Sequence, residues 1–371
     1  MVTRQQEWTE FEVAAMREAI SLARRGRQTA APNPMVGCVM AQGDRIVGRG
    51  WHQRPGADHA EVAAIKDAKG QTEGATAFVT LEPCNHTGRT GPCTEALIDA
   101  GVVSVVYSVD DPNPIAAGGG QRLKTAGLNV RTGLLEDECR SLVRGWLHSH
   151  TSPRPYVVGK VAMSLDGRIA THSGQSKWLT GPDARRRGHV LRADADAIMV
   201  GANTIKHDDP SLTARLENDM FTPLRVVVDS QGSCPSGAKA FERSGSGAVI
   251  LTTKHCRASR IDRFKTHGID VDVCSTDPEG RVDLEDALIK LRQKGVLTLM
   301  VEGGGTVVGS LLDHDFIDEL HLFYAPIVLG GGRAGFNGRG VDAIQDACGF
   351  NFLPPELIGN DFVVVGHRRR G

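Results

Sequence analysis

Net charge is almost absent from this 371-residue chain, in which 43 Lys and Arg oppose 44 Asp and Glu for a formal charge of -1. Such a balance leaves no global field to hold a nucleic-acid backbone. It argues against a polyanionic partner but not against a small phosphorylated one. No run of about 18 apolar residues occurs, which excludes a membrane-spanning helix on length. A signal-peptide pattern is also missing: MVTRQQEWTEFEVAAMREAISLARRGRQ carries charge throughout and spaces Phe11, Ala15, Ala19 and Leu22 as one face of an amphipathic helix. There is no internal repeat and no low-complexity tract, and the closing RRRG reads as a solvated tail. The expectation is a cytoplasmic protein with no membrane and no nucleic-acid partner. Without a secretory signal, the eight cysteines (Cys38, Cys84, Cys93, Cys139, Cys234, Cys256, Cys274 and Cys348) predict metal binding or plain burial rather than a disulfide framework.

What is present is enough apolar material, 40% of residues, for two α/β domains, since single cores stop growing near 250 to 300 residues. Up to about residue 150, β-prone runs at 36–41, 75–81 and 102–109 alternate with helical stretches opening near His59, Cys93 and Leu135, which predicts a sheet with helices packed on it. The polar, proline-bearing HSHTSPRPY places a boundary there, giving domains 1–150 and 151–371. Beyond it, strands are predicted at YVVGKVAM, 196–201, 224–230, 248–253, 296–304, 318–328 and 361–367, with a helix from Pro182. The second domain therefore also reads as α/β.

The chemistry concentrates in HAE and PCNHTGRTGPC. One imidazole, His59, and two thiolates, Cys84 and Cys93, suit Zn²⁺ and leave a fourth position open, the mark of a catalytic rather than a structural site. Glu61, two residues from the ligand histidine, is placed to take a proton from the activated water and deliver it to a leaving amine. Cys93 opens the predicted helix CTEALIDAG, where exposed N–H groups and the helix dipole favour thiolate. His-x-Glu followed by Pro-Cys after a strand is the pattern of zinc-dependent base deaminases, but their usual Cys-x-x-Cys is replaced here by cysteines with eight residues between them.

With APNPMVG at 31–37 and GRGWH at 48–52 added, the first domain resembles the deaminase half of the bifunctional riboflavin-biosynthesis deaminase/reductase family, in which the long inter-cysteine loop is the usual form. The resemblance implies a cytidine-deaminase-like three-layer fold. It also implies hydrolysis of the 2-amino group of a diaminopyrimidinone ribosylamine phosphate, with Asn33, His52 and Arg89 as substrate contacts. An Asn and a His can read the edge of a pyrimidine, and an Arg can pair with phosphate. His86 is left without a role.

Residues 153–368 resemble the reductase half of that family through AMSLDGRIA, SGQSKWLTG, HVLRADADAIMVGANTIKHDDPSLTAR and VEGGGTVVGSLL, which implies a fold similar to dihydrofolate reductase. The last motif is a strand running through glycines into a helix, an arrangement that can bind phosphate, although it is not GxGxxG. By resemblance, NADPH contacts Ala162, Trp178, Thr204, Asp208, Ser230 and the turn Gly304, Gly305, Thr306, Val307, Val308, Gly309 and Ser310; the phosphosugar contacts Ser176, Arg192, Leu212, Arg215 and Glu302. Lys160 faces this site with no assigned role, and Asp208 is a candidate proton donor. The implied reaction is hydride transfer to the ribosyl C1′ of the deaminated intermediate. A homo-oligomer is the expected assembly. Two rivals remain at this stage: a nucleic-acid base deaminase with an appended ligand-binding module, which the balanced charge disfavours, and a non-catalytic zinc-stabilised binding protein, in which Glu61 would be structural.

Overall fold

The computed structural model describes residues 7–87, 91–217 and 219–370. The chain divides into two compact units, Met1–Ser152 and Pro153–Gly371. Among the described residues no helix is long and apolar enough to cross a membrane, and all eight cysteines are free.

In the first unit the elements run α1 (Glu10–Ala23), β1 (Gly37–Gln42), β2 (Arg45–Trp51), α2 (Ala60–Asp67), β3 (Thr76–Leu81), α3 (Cys93–Asp99), β4 (Ser104–Val109), α4 (Gly119–Thr125), β5 (Asn129–Thr132) and α5 (Glu136–His148). The sheet order is β2-β1-β3-β4-β5, antiparallel across β2, β1 and β3 and parallel across β3, β4 and β5. Alternation along the strands sorts the core into two layers. Val39 and Ala41 of β1 and Phe78 of β3 pack with α1 and α5, whereas Cys38, Met40, Ala77 and Val79 pack with α2, α3 and α4. The result is a three-layer α/β/α unit. Helix α1 begins with a reciprocal cap between Thr9 and Glu12 and buries Ala15, Met16, Ala19, Ile20, Leu22 and Ala23, the stripe its periodicity predicts.

Strand β2, the helix α4 and strand β5 were not anticipated. Glycines break the β2 sequence RIVGRGW, but they are there because a helix lies on them. A Cβ at Gly50 would fall 2.2 Å from the Ala60 carbonyl oxygen, and one at Gly48 would fall 2.3 Å from that of Ala64. α2 thus rests on bare backbone, which sets the height of its first turn above the sheet.

The second unit is built on a ten-stranded sheet. Its strands are β6 (Tyr156–Ser164), β8 (Ala197–Gly201), β11 (Leu224–Val228), β12 (Ala248–Thr253), β13 (Asp270–Cys274), β14 (Thr298–Glu302), β15 (Glu319–Ala325), β17 (Phe350–Phe352), β18 (Glu356–Ile358) and β19 (Asp361–Arg368). Short ribbons pair β7 (Arg168–Ala170) with β16 (Arg333–Ala334) and β9 (Ala214–Arg215) with β10 (Met220–Phe221). The order β13-β12-β11-β8-β14-β6-β15-β19-β17 is parallel from β13 to β15 and antiparallel around β19, where β18 also pairs. Helices α6 (Pro182–Ala193), α7 (Ala202–Asp208), α8 (Ala258–Thr266), α9 (Leu284–Gln293) and α10 (Gly305–Asp313) supply the crossovers that parallel pairing requires. Both sheet faces carry an apolar cluster.

One packing contact of the first unit is tight enough to test. A Cβ at Gly37 would lie 1.9 Å from the Ala19 carbonyl oxygen, where α1 crosses β1. Gly37→Ala is expected to destabilise the first unit by at least about 1 to 3 kcal/mol through overpacking, read as a lowered denaturant midpoint at unchanged m-value.

Candidate active sites

In the first unit the donors converge at the end of the sheet where β3 delivers the chain into a loop. His59 is the N-cap of α2, Cys84 lies three residues past β3, and Cys93 is the first residue of α3. His59 Nδ1 is 3.2 Å from Cys93 Sγ and 3.5 Å from Cys84 Sγ, and all three ligand atoms lie within 4.8 Å of one another. A tetrahedral zinc with its usual S and N bond lengths separates such donors by about 3.6 Å, so the triad fits the ion without rearrangement. Backbone fixes the two cysteines: Thr94 N donates to the Cys84 carbonyl, Cys93 N approaches Cys84 Sγ at 3.5 Å, and the Thr94 hydroxyl donates to Asn85.

The donors are electrostatically coupled: the hydrogen bond from Cys93 and contact with His59 draw the Cys84 pKa far down, while the same contact with Cys84, and then burial, push that of Cys93 up. Contact with Cys84 raises the pKa of His59. Glu61, only 3% exposed, has its pKa pushed up to about 7, first by burial and then by the Cys84 charge. A divalent ion at the triad would relieve these repulsions.

His59, Glu61 and Cys84 line a cavity of about 510 Å³, with Cys93 buried behind it. Asn33 and His52 line it too, linked by Asn33 Nδ2 to His52 Nε2 at 3.0 Å, with the His52 ring edge-on to that of His59. His52 Nδ1 lies 3.1 Å from the Asp58 carbonyl, and burial lowers the ring's pKa, so the imidazole is neutral with its proton on Nδ1. Asn33 therefore donates to Nε2 and keeps its amide oxygen for another partner. Arg89 falls outside the described residues.

Asp111 and Asn113, from the loop after β4, and Trp146 of α5 also line this cavity, as do Glu82 and His86. Sequence reading passed over Asp111 and Asn113. Their signal was the DDPNP run directly after a parallel strand, where sites commonly form. Glu82 orients that loop by accepting Asp111 N at 3.1 Å and Gly120 N at 2.9 Å, and burial raises the Asp111 pKa.

The second unit holds a cavity of about 570 Å³ at the C-terminal ends of β6, β8 and β14. Ser176, Arg192, Leu212, Arg215 and Glu302 all line it, as do Ala162, Trp178, Thr204, Asp208 and Gly304. Arg192 pairs with Glu302 at 2.7 Å and donates to the Thr213 carbonyl at 2.9 Å. Arg215 reaches His189 Nε2 at 3.1 Å and the Thr213 hydroxyl at 2.8 Å. His189, which sequence reading did not single out, sits between these cations; burial, Arg192 and Arg215 hold its pKa down at about 4. The Thr204 hydroxyl faces the glycine turn, since a Cβ on Gly303 would meet it at 2.9 Å. Trp178 is 71% exposed with the Arg185 guanidinium 4.7 Å from its ring centroid.

Ser230 and Gly305 to Ser310 do not line this cavity. Ser230 Oγ accepts Val282 N, and 305–310 form the first turns of α10. Added Cβ atoms at Gly305 and Gly309 would lie 2.5 Å from the Ala334 oxygen and 2.3 Å from Gly338 N, so these two glycines make room for the chain's own 334–338 segment.

Comparison with known proteins covers both units. Residues 9–109 match the family described as cytidine and deoxycytidylate deaminase zinc-binding region, and residues 155–364 match the RibD C-terminal domain. The riboflavin biosynthesis protein RibD of Actinobacillus pleuropneumoniae is 40% identical over 94% of this chain and 93% of its own. That of Escherichia coli K12 is 38% identical over 93% and 96%. Among solved structures, Acinetobacter baumannii RibD is 36% identical, with a TM-score of 0.80 and coverage of 97% of this chain and 99% of that one. A Thermotoga maritima protein described as a diaminohydroxyphosphoribosylaminopyrimidine deaminase/5-amino-6-(5-phosphoribosylamino)uracil reductase is 32% identical, with a TM-score of 0.81 and the same coverage.

Because Glu61 stands beside the triad without belonging to it, Glu61→Gln is expected to keep stoichiometric zinc while deamination falls about 10²- to 10⁴-fold, whereas Cys84→Ala loses both. Metal content and deamination rate, measured on the same preparations, check this.

Proposed function

Since the chain belongs to the RibD family of riboflavin-biosynthesis proteins, joining a zinc-dependent deaminase to a reductase, we propose an assignment of its residues to the two consecutive reactions. The observation that carries it is the convergence of His59, Cys84 and Cys93 on one point of a cavity that Glu61, Asn33 and His52 also line.

In the first reaction the diaminopyrimidinone phosphate enters the smaller cavity, with its pyrimidine edge against Asn33 and His52 and its phosphate toward Arg89. His59, Cys84 and Cys93 would hold the zinc ion, which would supply the Lewis acid that makes water a nucleophile near neutral pH. Glu61 takes the proton from the attacking water and returns it to the departing amine. Its burial, which disfavours the charged carboxylate, suits a group that must both accept and donate a proton. With both ring nitrogens engaged, His52 fixes the orientation of Asn33 and leaves its amide oxygen for the substrate edge.

In the second reaction Ala162, Trp178, Thr204, Asp208 and Gly304, which line the larger cavity, would hold NADPH. Ser230 and the first turns of α10 through Ser310 serve as a more distant part of its site. NADPH supplies the hydride, delivered to the ribosyl C1′. Arg192 and Arg215 hold the substrate phosphate, with Ser176, Leu212 and Glu302 around the sugar. Two forked guanidiniums converging on one cleft suit a dianion. The enzyme is cytoplasmic and forms a homo-oligomer in this reading.

The decisive experiment assays each half-reaction separately. Chelation is expected to abolish deamination and leave reduction of the deaminated intermediate by NADPH intact, because every proposed metal ligand precedes the Ser152–Pro153 division and every proposed NADPH contact follows it. Arg192→Ala with Arg215→Ala is expected to do the converse. Loss of both reactions on chelation, in protein that stays folded by circular dichroism, would replace the two-site assignment with a shared one.

His189 adds a pH signature. Burial, and then Arg192 and Arg215, hold its pKa at about 4, and a phosphate between the two arginines would offset their part and raise it. Between the depressed value and about 6.5, the ordinary value for histidine, the free site is neutral and the loaded site protonated, so binding takes up protons. Calorimetry of phosphosugar binding at about pH 5.5, in buffers of different ionisation enthalpy, is expected to detect that uptake and to lose it in His189→Gln.

A further inference from the structure

Cationic side chains reach the larger cavity from both faces of the sheet. Helix α6, which carries His189 and Arg192, packs through Ala184 and Leu191 on the face that buries Ile198, Val200 and Met300. Arg333 also lines the cavity but comes from the other face. A Cβ on Gly335, two residues further on, would meet Val161 Cγ1 at 3.2 Å and Met163 Sδ at 3.3 Å, and those two side chains cluster with Val308 and Leu311 of α10. Arg192 and Arg215 are both engaged, whereas the exposed Arg333 makes neither an ion pair nor a side-chain hydrogen bond among the described residues.

The backbone that carries this free guanidinium is tied down on both sides. Before it, Asp166 accepts Leu329 N at 3.0 Å and Gly330 N at 2.9 Å, which also turns the acid of this region toward backbone donors. Arg333 itself pairs in register with Ala170 of β7. After it, Gly335 N donates to the Gly167 carbonyl at 2.9 Å, Asn337 N to the Gly305 carbonyl at 3.0 Å, and Arg339 N to Asp313 at 2.6 Å. The segment therefore lies against the first turn of α10, beside Gly303 and Gly304, whose φ angles of +72° and +24° shape the turn that lines the cavity. The guanidinium runs along the bend at Gly174, where an added Cβ would stand 3.3 Å from Nη2. With the backbone fixed, an arriving anion has only a side chain to order.

We propose that Arg333 binds the diphosphate of the dinucleotide cofactor, on the α10 side of the cavity beside Gly303 and Gly304. This rests on the assignment of the larger cavity to NADPH-dependent reduction. Two phosphate-bearing ligands then share the cavity, and a single phosphate cannot meet cations that arrive from opposite faces of the sheet. Arg192 and Arg215 serve the phosphosugar, so the cation on the α10 face is left for the cofactor. Ser230, assigned to the cofactor, follows β11, which β8 separates from β14, so the adenosine end with its 2′-phosphate runs away from Arg333. The anion that remains within its reach is the diphosphate, and a guanidinium fork suits two phosphoryl oxygens. NADPH and NADH carry the same diphosphate, so Arg333 strengthens binding of both and discriminates between neither.

The test titrates the full-length protein with NADP⁺ and with NAD⁺ by calorimetry, without turnover, comparing wild type with Arg333→Ala, Arg333→Gln and Arg333→Lys. Expected is a Kd raised about ten- to a hundred-fold for both dinucleotides in the Ala and Gln variants, with Lys intermediate. The KM for the deaminated phosphosugar at saturating NADPH, and the rate of deamination, are expected to stay as in wild type. Added salt is expected to weaken binding more steeply in wild type than in Arg333→Ala. Unchanged Kd values in the Ala and Gln variants overturn the proposal. A loss confined to NADP⁺ overturns it as well, because that marks the 2′-phosphate, and so does a raised phosphosugar KM with dinucleotide binding intact, because that places Arg333 with the substrate. If wild type itself binds neither dinucleotide, the cofactor assignment of the cavity falls and takes the contact with it.

Discussion

Two thiols, an imidazole and a carboxylate packed into one buried corner cannot all hold the charges their chemistry needs unless a cation joins them. That constraint organises the first unit. Burying such groups in an apolar interior costs several kcal/mol apiece without compensation, so the elements that carry them must be held from other directions. The glycines of β2 hold α2 close, the Thr94 contacts hold the opening of α3, and Glu82 holds the loop after β4. The larger part of the fold's precision is spent on parts of the chain that never touch the reaction.

The second unit solves a different problem with the same economy. In the proposed assignment its cavity receives a phosphate, and the two guanidiniums that would hold it are already occupied. Arg192 is paired with Glu302 and Arg215 with His189 and Thr213, so neither is left as an isolated charge. An arriving dianion must compete with those partners, which favours doubly charged ligands over singly charged ones of similar shape.

How much of this was legible in the sequence follows from what each signal depends on. β1, β3 and β4 are continuous apolar runs and were visible, as were the helix starts near His59, Cys93 and Leu135. β2 was hidden because glycines needed for tertiary contact break its pattern, β5 because NVRT is short and polar, and α4 because GGQRLKT opens on two glycines. The metal donors could be named because their residue types and order are chemically restrictive. Asp111 and Asn113 had a signal in the DDPNP run after β4, but His189 had none, since its place beside Arg192 and Arg215 comes from which elements are neighbours, and no local spacing encodes that. Assigning Gly305 and Gly309 to cofactor contact was a reading from motif. The structure gives both glycines a second use, against the 334–338 backbone.

The seating of α2 on the bare backbone of β2 bears on how the protein meets its metal in the cell. In small zinc modules the ion is what folds the chain, so losing it means unfolding. Here the helix bearing His59 and Glu61 is also positioned by close packing against glycine, a contact that no ion supplies. The height of the ligand histidine and of the carboxylate beside it above the sheet is thus set by backbone packing as well as by coordination, so a side chain introduced at Gly48 or Gly50 would disturb metal binding without touching a ligand.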